Sequence, residues 1–264
     1  MRLKLLHQTR YSYDAPIPYA LQRLRLVPQP SRTQSVQAWE LEMTGAVEEV
    51  RFFDQFGNDT RLISVAGEPH EIGITARGEV ETRDTAGVTG PHAGFAPLWL
   101  FGHETALTAA GPLVGDLARS AAEGSDLERL HGLSQAIRER IAYRIGATDA
   151  STTAEQAVER GEGVCQDHAH VFLACARMLG FPARYVSGYL LLEGTTDQVA
   201  SHAWAEAHVG GLGWVGFDVA NGQSPDERYV HLAYGRDYRD AMPVSGIRLG
   251  QAQEQLEVHI TVEQ

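Results

Sequence analysis

The chain has 264 residues, enough for one large or two modest domains that each bury a core. Its 22 basic and 34 acidic side chains give a formal charge of −12, which argues against nucleic acid or an anionic membrane as the main partner. No apolar run approaches the roughly 18 residues that cross a bilayer. The apolar part of Met1-Arg2-Leu3-Lys4-Leu5-Leu6 is too short for a secretory signal, and two cysteines make no disulfide framework, so the expected compartment is a reducing cytoplasm.

The first ninety residues read as strands. Residues 3–13 alternate in part, and 21–27 alternate cleanly before Pro28 and Pro30 end the run. Further strands are expected at 36–43, 49–53, 60–65 and 71–82, with a hairpin turn at 54–59 in which Gly57 or Asn58 takes positive φ. Many short strands at this spacing predict an antiparallel sandwich over 1–110, with a supporting or substrate-framing role and no catalytic constellation of its own. Residues 84–115, with Pro91, Pro97 and Pro112, read as a connection. It is too apolar for a free linker and is expected to pack across both halves.

The second half, 111–264, changes period. Leu127, Leu130, Leu133, Ile137 and Ile141 predict a helix over 126–143 capped by Ser125. Thr153 to Gln156 matches a capping box for a second helix that stops at Gly161. A third helix begins at Val164 or Cys165 and runs to Leu179, closed by Gly180 and Pro182. Strands follow at 184–192, 201–209 and 213–219, then a mostly irregular stretch at 221–251 and a last strand at 255–262.

The chemistry centres on Cys165. A thiol in the first turn of a helix sits among unpaired backbone N–H groups and a partial positive charge, which favour thiolate and can hold an oxyanion. Such a nucleophile needs a base and a group that orients the base. His202, early on one strand, and Asp218, at the end of the next, face each other if the strands form a hairpin about residue 210, which is eight residues from each. Cys175, ten residues along the same helix and about 15 Å of rise away, cannot bridge to Cys165 and reads as a buried apolar residue.

Gly163-Val164-Cys165-Gln166-Asp167, His202-Ala203-Trp204 and Gly213-Trp214-Val215-Gly216-Phe217-Asp218 together resemble the transglutaminase-like superfamily of papain-fold cysteine enzymes. The likeness is to the bacterial branch with a β-rich N-terminal domain. His7-Gln8-Thr9-Arg10-Tyr11-Ser12-Tyr13 and Asp54-Gln55-Phe56-Gly57-Asn58 match that accessory region, and Thr152-Thr153-Ala154 and Tyr234-Gly235-Arg236-Asp237-Tyr238 extend the match through the rest. The resemblance implies an α+β fold, a cysteine-first helix packed on an antiparallel sheet and preceded by a β-sandwich-like domain. It makes Cys165 the nucleophile, His202 the general base and Asp218 the orienting acid.

The implied reaction is hydrolysis of a peptide, protein or small amide through a thioester acyl-enzyme. The alternatives are transfer of the acyl group to an amine, and a non-catalytic scaffold on the same fold. No metal or cofactor is expected. His168 and His170 lie two apart and off the i,i+4 face of helical metal pairs, and no EF-hand-type loop is present for the calcium that eukaryotic crosslinking relatives use. Asp167 and His170 are expected to support the helix start, Trp204 to belong to the core or wall the acyl site, and Asn221 to be a fallback orienter. Tyr143 and Gln135 are both available as a second oxyanion donor, and the sequence does not choose between them. The oligomeric state is open.

Overall fold

A computed structural model describes residues 1–121 and 123–264. The alternation of the first ninety residues builds two facing antiparallel sheets from β1 (Arg2–Tyr13), β2 (Tyr19–Val27), β3 (Gln34–Thr44), β4 (Ala46–Phe53), β5 (Asp59–Val65) and β6 (Glu71–Thr82). β1, β6 and β3 pair in one sheet; β2, β5 and β4 pair in the other. Leu3, Leu5, Leu24, Leu26, Ile63, Ile72 and Ile74 point between them and are almost fully buried. Gly57 takes φ 85° in the β4–β5 turn.

The chain then crosses through β7 (Val88–Gly90) and a 3-10 turn at Leu98–Gly102 into α1 (Pro112–Ser120) and α2 (Asp126–Arg140). Next come β8 (Ala142–Tyr143), α3 (Ala154–Arg160), β9 (Glu162–Gly163) and α4 (Cys165–Met178). β10 (Ala183–Leu190), β11 (Asp197–Gln198), β12 (His202–Val209), β13 (Gly213–Phe217), β14 (Tyr229–Gly235), α5 (Tyr238–Ala241), β15 (Val244–Leu249) and β16 (Glu254–Glu263) complete it. The central sheet runs β14-β10-β12-β13-β7, all antiparallel. α4 lies on one face of this sheet with α1, α2 and α3 packed round it, so it is buried on every side after its first turn. Ala203, Ala205 and Ala207 face α4 from β12, and their small side chains let helix and strand approach closely.

This is the α+β architecture expected from the sequence, with four corrections. The connection at 84–115 contains β7 and the start of α1, which opens on Pro at its first helical position. The irregular stretch at 221–251 contains β14, α5 and β15. The helix over 126–143 ends at Arg140, because Ile141 takes an extended conformation and Ala142 and Tyr143 form a short parallel ladder with Glu162 and Gly163. Finally, a division into 1–110 and 111–264 does not describe the sheets. β15 pairs with β2, and β16 pairs with β1 along Lys4 to Tyr13, so the end of the chain completes the sandwich. Ile260 and Val262 are fully buried in its core together with Tyr189, Val230 and Leu232 of the central sheet. No helix among the described residues is long and apolar enough to cross a membrane.

Candidate active site

Cys165 opens α4, and the local sequence fixes that start. Gly161 ends α3 at φ 69°, a left-handed position that costs a glycine little. Glu162 and Gly163 are then held by the β8–β9 ladder, and Val164 is extended. Asp167 Oδ2 accepts the Val164 N–H at 2.7 Å and the Thr148 hydroxyl at 2.6 Å, tying the 143–151 loop to the helix start. Burial pushes the Asp167 carboxyl above its ordinary value, against the lowering effect of those hydrogen bonds. His168 places its two ring nitrogens 2.8 Å from the Val164 carbonyl and 3.1 Å from that of Ile141. Cys165 thus stands on a rigid base with its own N–H at the first helical position, where no intrahelical acceptor exists.

His202 begins β12, opposite Gly188 of β10. Its Nε2 lies 2.7 Å from Asp218 Oδ2, and it shares one cleft with the Cys165 thiol. Burial alone would lower the imidazole pKa. The hydrogen bond to Asp218 and then the proximity of Cys165, with the charges of both, outweigh it and raise the value to about 10. Asp218 is fully buried, and burial would raise its pKa. The contacts with His202 and hydrogen bonds from Asn221 and Tyr229 outweigh that, hold it below its ordinary value and keep it a carboxylate.

Asp218 is over-determined. Its Oδ2 accepts from Asn221 Nδ2 and from the Tyr229 hydroxyl, both at 2.7 Å, while Oδ1 accepts the Asn221 N–H at 3.2 Å. Its backbone exchanges two hydrogen bonds with Gln223. Asn221 also brings its amide nitrogen to 3.4 Å from His202 Nε2. The pairing differs from a hairpin centred on residue 210. The turn has three residues, Gly210 to Leu212, and Val209 pairs with Gly213. His202 and Asp218 are therefore diagonal neighbours, a spacing that a carboxylate and an imidazole can bridge.

The structure brings Cys165, His202, Asp218 and Asn221 together; Asp167, His170 and Trp204 sit outside the cleft. His170 accepts the Tyr238 N–H at 3.1 Å and lies against the Tyr185 ring, so it sets α5 against α4 from within the core. Trp204 is buried behind His202, its ring stacked 6.1 Å from the imidazole, and it packs against Gly188, where a Cβ would fall 2.6 Å from the indole. It therefore braces the imidazole from behind and does not wall an acyl site. Gln135 donates to Glu139 on the outer face of α2, away from the thiol. Tyr143 reaches the cleft. Cys175 is fully buried, with its thiol pushed up to about 12 by burial. Tyr229 and Gln223, which hold Asp218, were missed because they fall in the stretch read as irregular.

The cleft over Cys165 and His202 has a volume of about 740 Å³. One wall carries Tyr143 and Ile145; the other carries Leu192 and the segment Gln198 to Ser201. Tyr185 and Tyr238 close the floor near the thiol, and Cys165 contributes to raising the pKa of each, after burial in both cases.

Two buried histidines make acid a measurable stress. Burial lowers His170 to about 3, helped by Arg177 and Arg239, and lowers His7 to about 4. The unfolded chain takes up these protons near pH 6.5 and the folded chain does not, so their contribution is complete above that pH and is lost as pH falls. Each is expected to cost about 2 kcal/mol between pH 7 and pH 5. Urea midpoints at the two pH values, for the wild type and for His170→Gln, check this. The acid loss shrinks by about half in the variant if His170 carries its share.

A family model of the transglutaminase-like superfamily matches residues 115–219, and one of the bacterial transglutaminase-like N-terminal region matches residues 3–81. The chain is 32% identical over 274 residues to an uncharacterized protein of Mycobacterium tuberculosis, covering 93% of this chain and 87% of that one. It is 29% identical over 278 residues to an uncharacterized protein of Mycobacterium leprae, covering 99% and 98%. A crystal structure of a "Putative Cysteine Protease" from Cytophaga hutchinsonii superposes with a TM-score of 0.77 at 22% identity, over 100% of this chain and 90% of that one.

Proposed function

The chain belongs to the transglutaminase-like superfamily, with a bacterial transglutaminase-like N-terminal region, and from that premise we propose that it is a cysteine-dependent hydrolase of peptide amides. The observation that carries the reading is that Cys165 and His202 share one cleft and that His202 is held by a buried Asp218, which also accepts from Asn221 and Tyr229. An imidazole raised to about 10 is an imidazolium at neutral pH, the partner that a thiolate needs.

The geometry supports the following sequence. The Cys165 thiolate adds to the amide carbonyl carbon, and the oxygen becomes an oxyanion beside the Cys165 N–H at the positive end of α4. The C–N bond breaks as the His202 imidazolium gives its proton to the departing amine, leaving a thioester and a neutral imidazole. His202 then takes a proton from water as the hydroxyl oxygen adds to the thioester carbon. The C–S bond breaks, the acid departs and the thiolate–imidazolium pair returns. Asp218 holds the ring and its charge throughout without taking a proton.

Water has access because the cleft is open, and open walls bearing exposed Ile145 and Val199 suit a polypeptide better than a small enclosed amide. The first test is the rate of Cys165 alkylation by iodoacetamide against pH, in the wild type and in His202→Ala. Fast labelling at pH 6 that falls by a factor of about 10 or more in the variant is expected for an ion pair. Slow labelling indifferent to His202 would overturn the reading and leave a binding or scaffold protein. Turnover of peptide amides with and without an added primary amine then separates the two acyl fates: free acid means hydrolysis, and a new secondary amide means transfer.

A further inference from the structure

The segment that leads into His202 separates two cavities. From the end of β10 the chain crosses to the sandwich, where Asp197 and Gln198 pair with Thr261 and Ile260 of β16. The Thr196 carbonyl accepts the Val262 N–H at 3.1 Å, and the Gln198 side chain donates back to the Leu190 carbonyl at 2.8 Å. Val199, Ala200 and Ser201 then form a strap. One side of it faces the cleft over Cys165. The other faces a crevice of about 170 Å³ between the sandwich and α5, and Tyr238 of α5 lines both cavities.

The crevice is made largely by the sandwich: Tyr11 from β1, Val244 from β15, and Leu256 and Val258 from β16. Among the described residues, none that lines it carries a side chain charged at neutral pH. His7 is neutral because burial lowers it to about 4, and Tyr11 is pushed up to about 12, first by burial and then by Glu254 and Tyr238. Among the described residues that line the cleft itself, the only charged side chain outside the reacting groups is Asp197. Around this seam Val199 is 82% exposed, Leu256 53% and Ile145 81%, so apolar surface is left in water along the approach to the nucleophile.

On the reading that Cys165 is an acylating nucleophile, we infer that the β1–β16 face of the sandwich forms a side-chain subsite of the same active site. It takes a bulky neutral side chain, aromatic or branched aliphatic, flanking the scissile amide of a polypeptide. The size agrees: a protein cavity of about 150 Å³ accommodates a benzene ring. The chemistry agrees as well. An acidic side chain would leave water for an uncharged crevice with no cation to pair it, and would approach past Asp197. The inference also gives a reason for the chain's last strands to return to the sandwich, since β16 supplies both the anchor of the strap and one wall of the subsite.

The test uses three electrophiles on the full chain: iodoacetamide, which has no side chain, and two peptidyl chloromethyl ketones of equal length that carry Phe or Glu at the flanking positions. The Phe probe is expected to inactivate the wild type at least tenfold faster than the Glu probe, the scale on which apolar pockets discriminate. Leu256→Asp, on an exposed position of β16, is expected to remove most of that preference, and Val258→Asp, two residues along the same strand and lining the crevice but not the cleft, to do the same. The iodoacetamide rate reports in each variant that the nucleophile and the fold are intact. Equal rates for the two peptide probes in the wild type, or a preference unchanged in both variants, with fast iodoacetamide labelling retained, would overturn the subsite alone. Loss of fast, His202-dependent iodoacetamide labelling in the wild type would overturn the nucleophile and the subsite with it.

Discussion

If Cys165 and His202 act as proposed, Asp218→Ala is expected to lower amide turnover by about 10⁴, whereas Asp218→Asn, which keeps an acceptor, is expected to lose an amount that depends on pH. The carboxylate has two tasks that the substitutions separate. It fixes the ring through Oδ2 at 2.7 Å, and its charge helps to hold His202 near 10. Alanine removes both and leaves Tyr229 and Asn221 without their acceptor. An amide oxygen can still accept from Nε2, as the orienting amide of papain-like sites does, but it carries no charge.

The sign for Asp218→Asn follows from the raised pKa. The imidazolium persists in the wild type until the pH passes about 10. With the charge gone, its loss moves down toward 6.5. At pH 8 about 3% of an ordinary imidazole is protonated, so a deficit of up to about 30-fold is expected there, and near pH 6 most of it is recovered. The checks are pH profiles of turnover of a peptidyl aminocoumarin and an NMR titration of the His202 ring. A uniform loss at all pH values, with the His202 titration unmoved, would mean that Asp218 acts by geometry alone.

How far the site is legible in the sequence depends on which physical signal each residue leaves. Cys165 is visible because the elements around it are punctuated: a capping box at Thr153, a left-handed Gly161, and an apolar run closed by Gly180. His202 and Asp218 are visible because their strands are joined through glycines. The register between them is not, since a three-residue turn shifts every pair and only the turn's backbone decides it.

β14 leaves almost no trace, because its residues are buried on both faces and period-two alternation appears only where one face meets water. Tyr229 and its hydrogen bond to Asp218 disappear from view with it. α1 is hidden by its own start, since the Gly and Pro that begin it also read as a breaker. The return of β15 and β16 to the sandwich is invisible for a different reason. Pairing residues 4–13 with residues 254–263 is a long-range choice that neither segment encodes alone.

The second large effect concerns stability and sits four residues along β12 from His202. Glu206 is fully buried. Its Oε2 accepts from Arg184 Nε at 2.7 Å, and its Oε1 lies 3.0 Å from His231 Nε2. Burial would raise its pKa, but Arg184 and then His231 bring it down to about 2. The Arg184 guanidinium is held between Trp214 and Tyr234, 4.4 and 3.9 Å from the ring centres. His231 is in turn clasped by Gln34 of β3, which accepts its N–H and donates to its carbonyl, both at 2.8 Å. The cluster thus joins the strand that carries His202 to the sandwich.

Glu206→Ala is expected to cost about 3–5 kcal/mol, because it strands a buried guanidinium, and that is a large share of the 5–15 kcal/mol that usually holds a domain folded. The contribution is complete above about pH 4.5 and falls as the pH drops toward 2, so the wild type loses part of its stability over that window and the variant has none of that part to lose. Urea unfolding of Glu206→Ala, Arg184→Met and the double variant decides between a charge effect and lost packing. If the unpaired charge carries the cost, the double variant recovers most of what Glu206→Ala loses, since an apolar pair of similar volume can replace a buried ion pair at little cost. If the two losses simply add, the cluster contributes as packed volume. The alkylation rate of Cys165 in the folded fraction should then change little in any of the three, because the contacts that set His202 run through Asp218 on the other side of the ring.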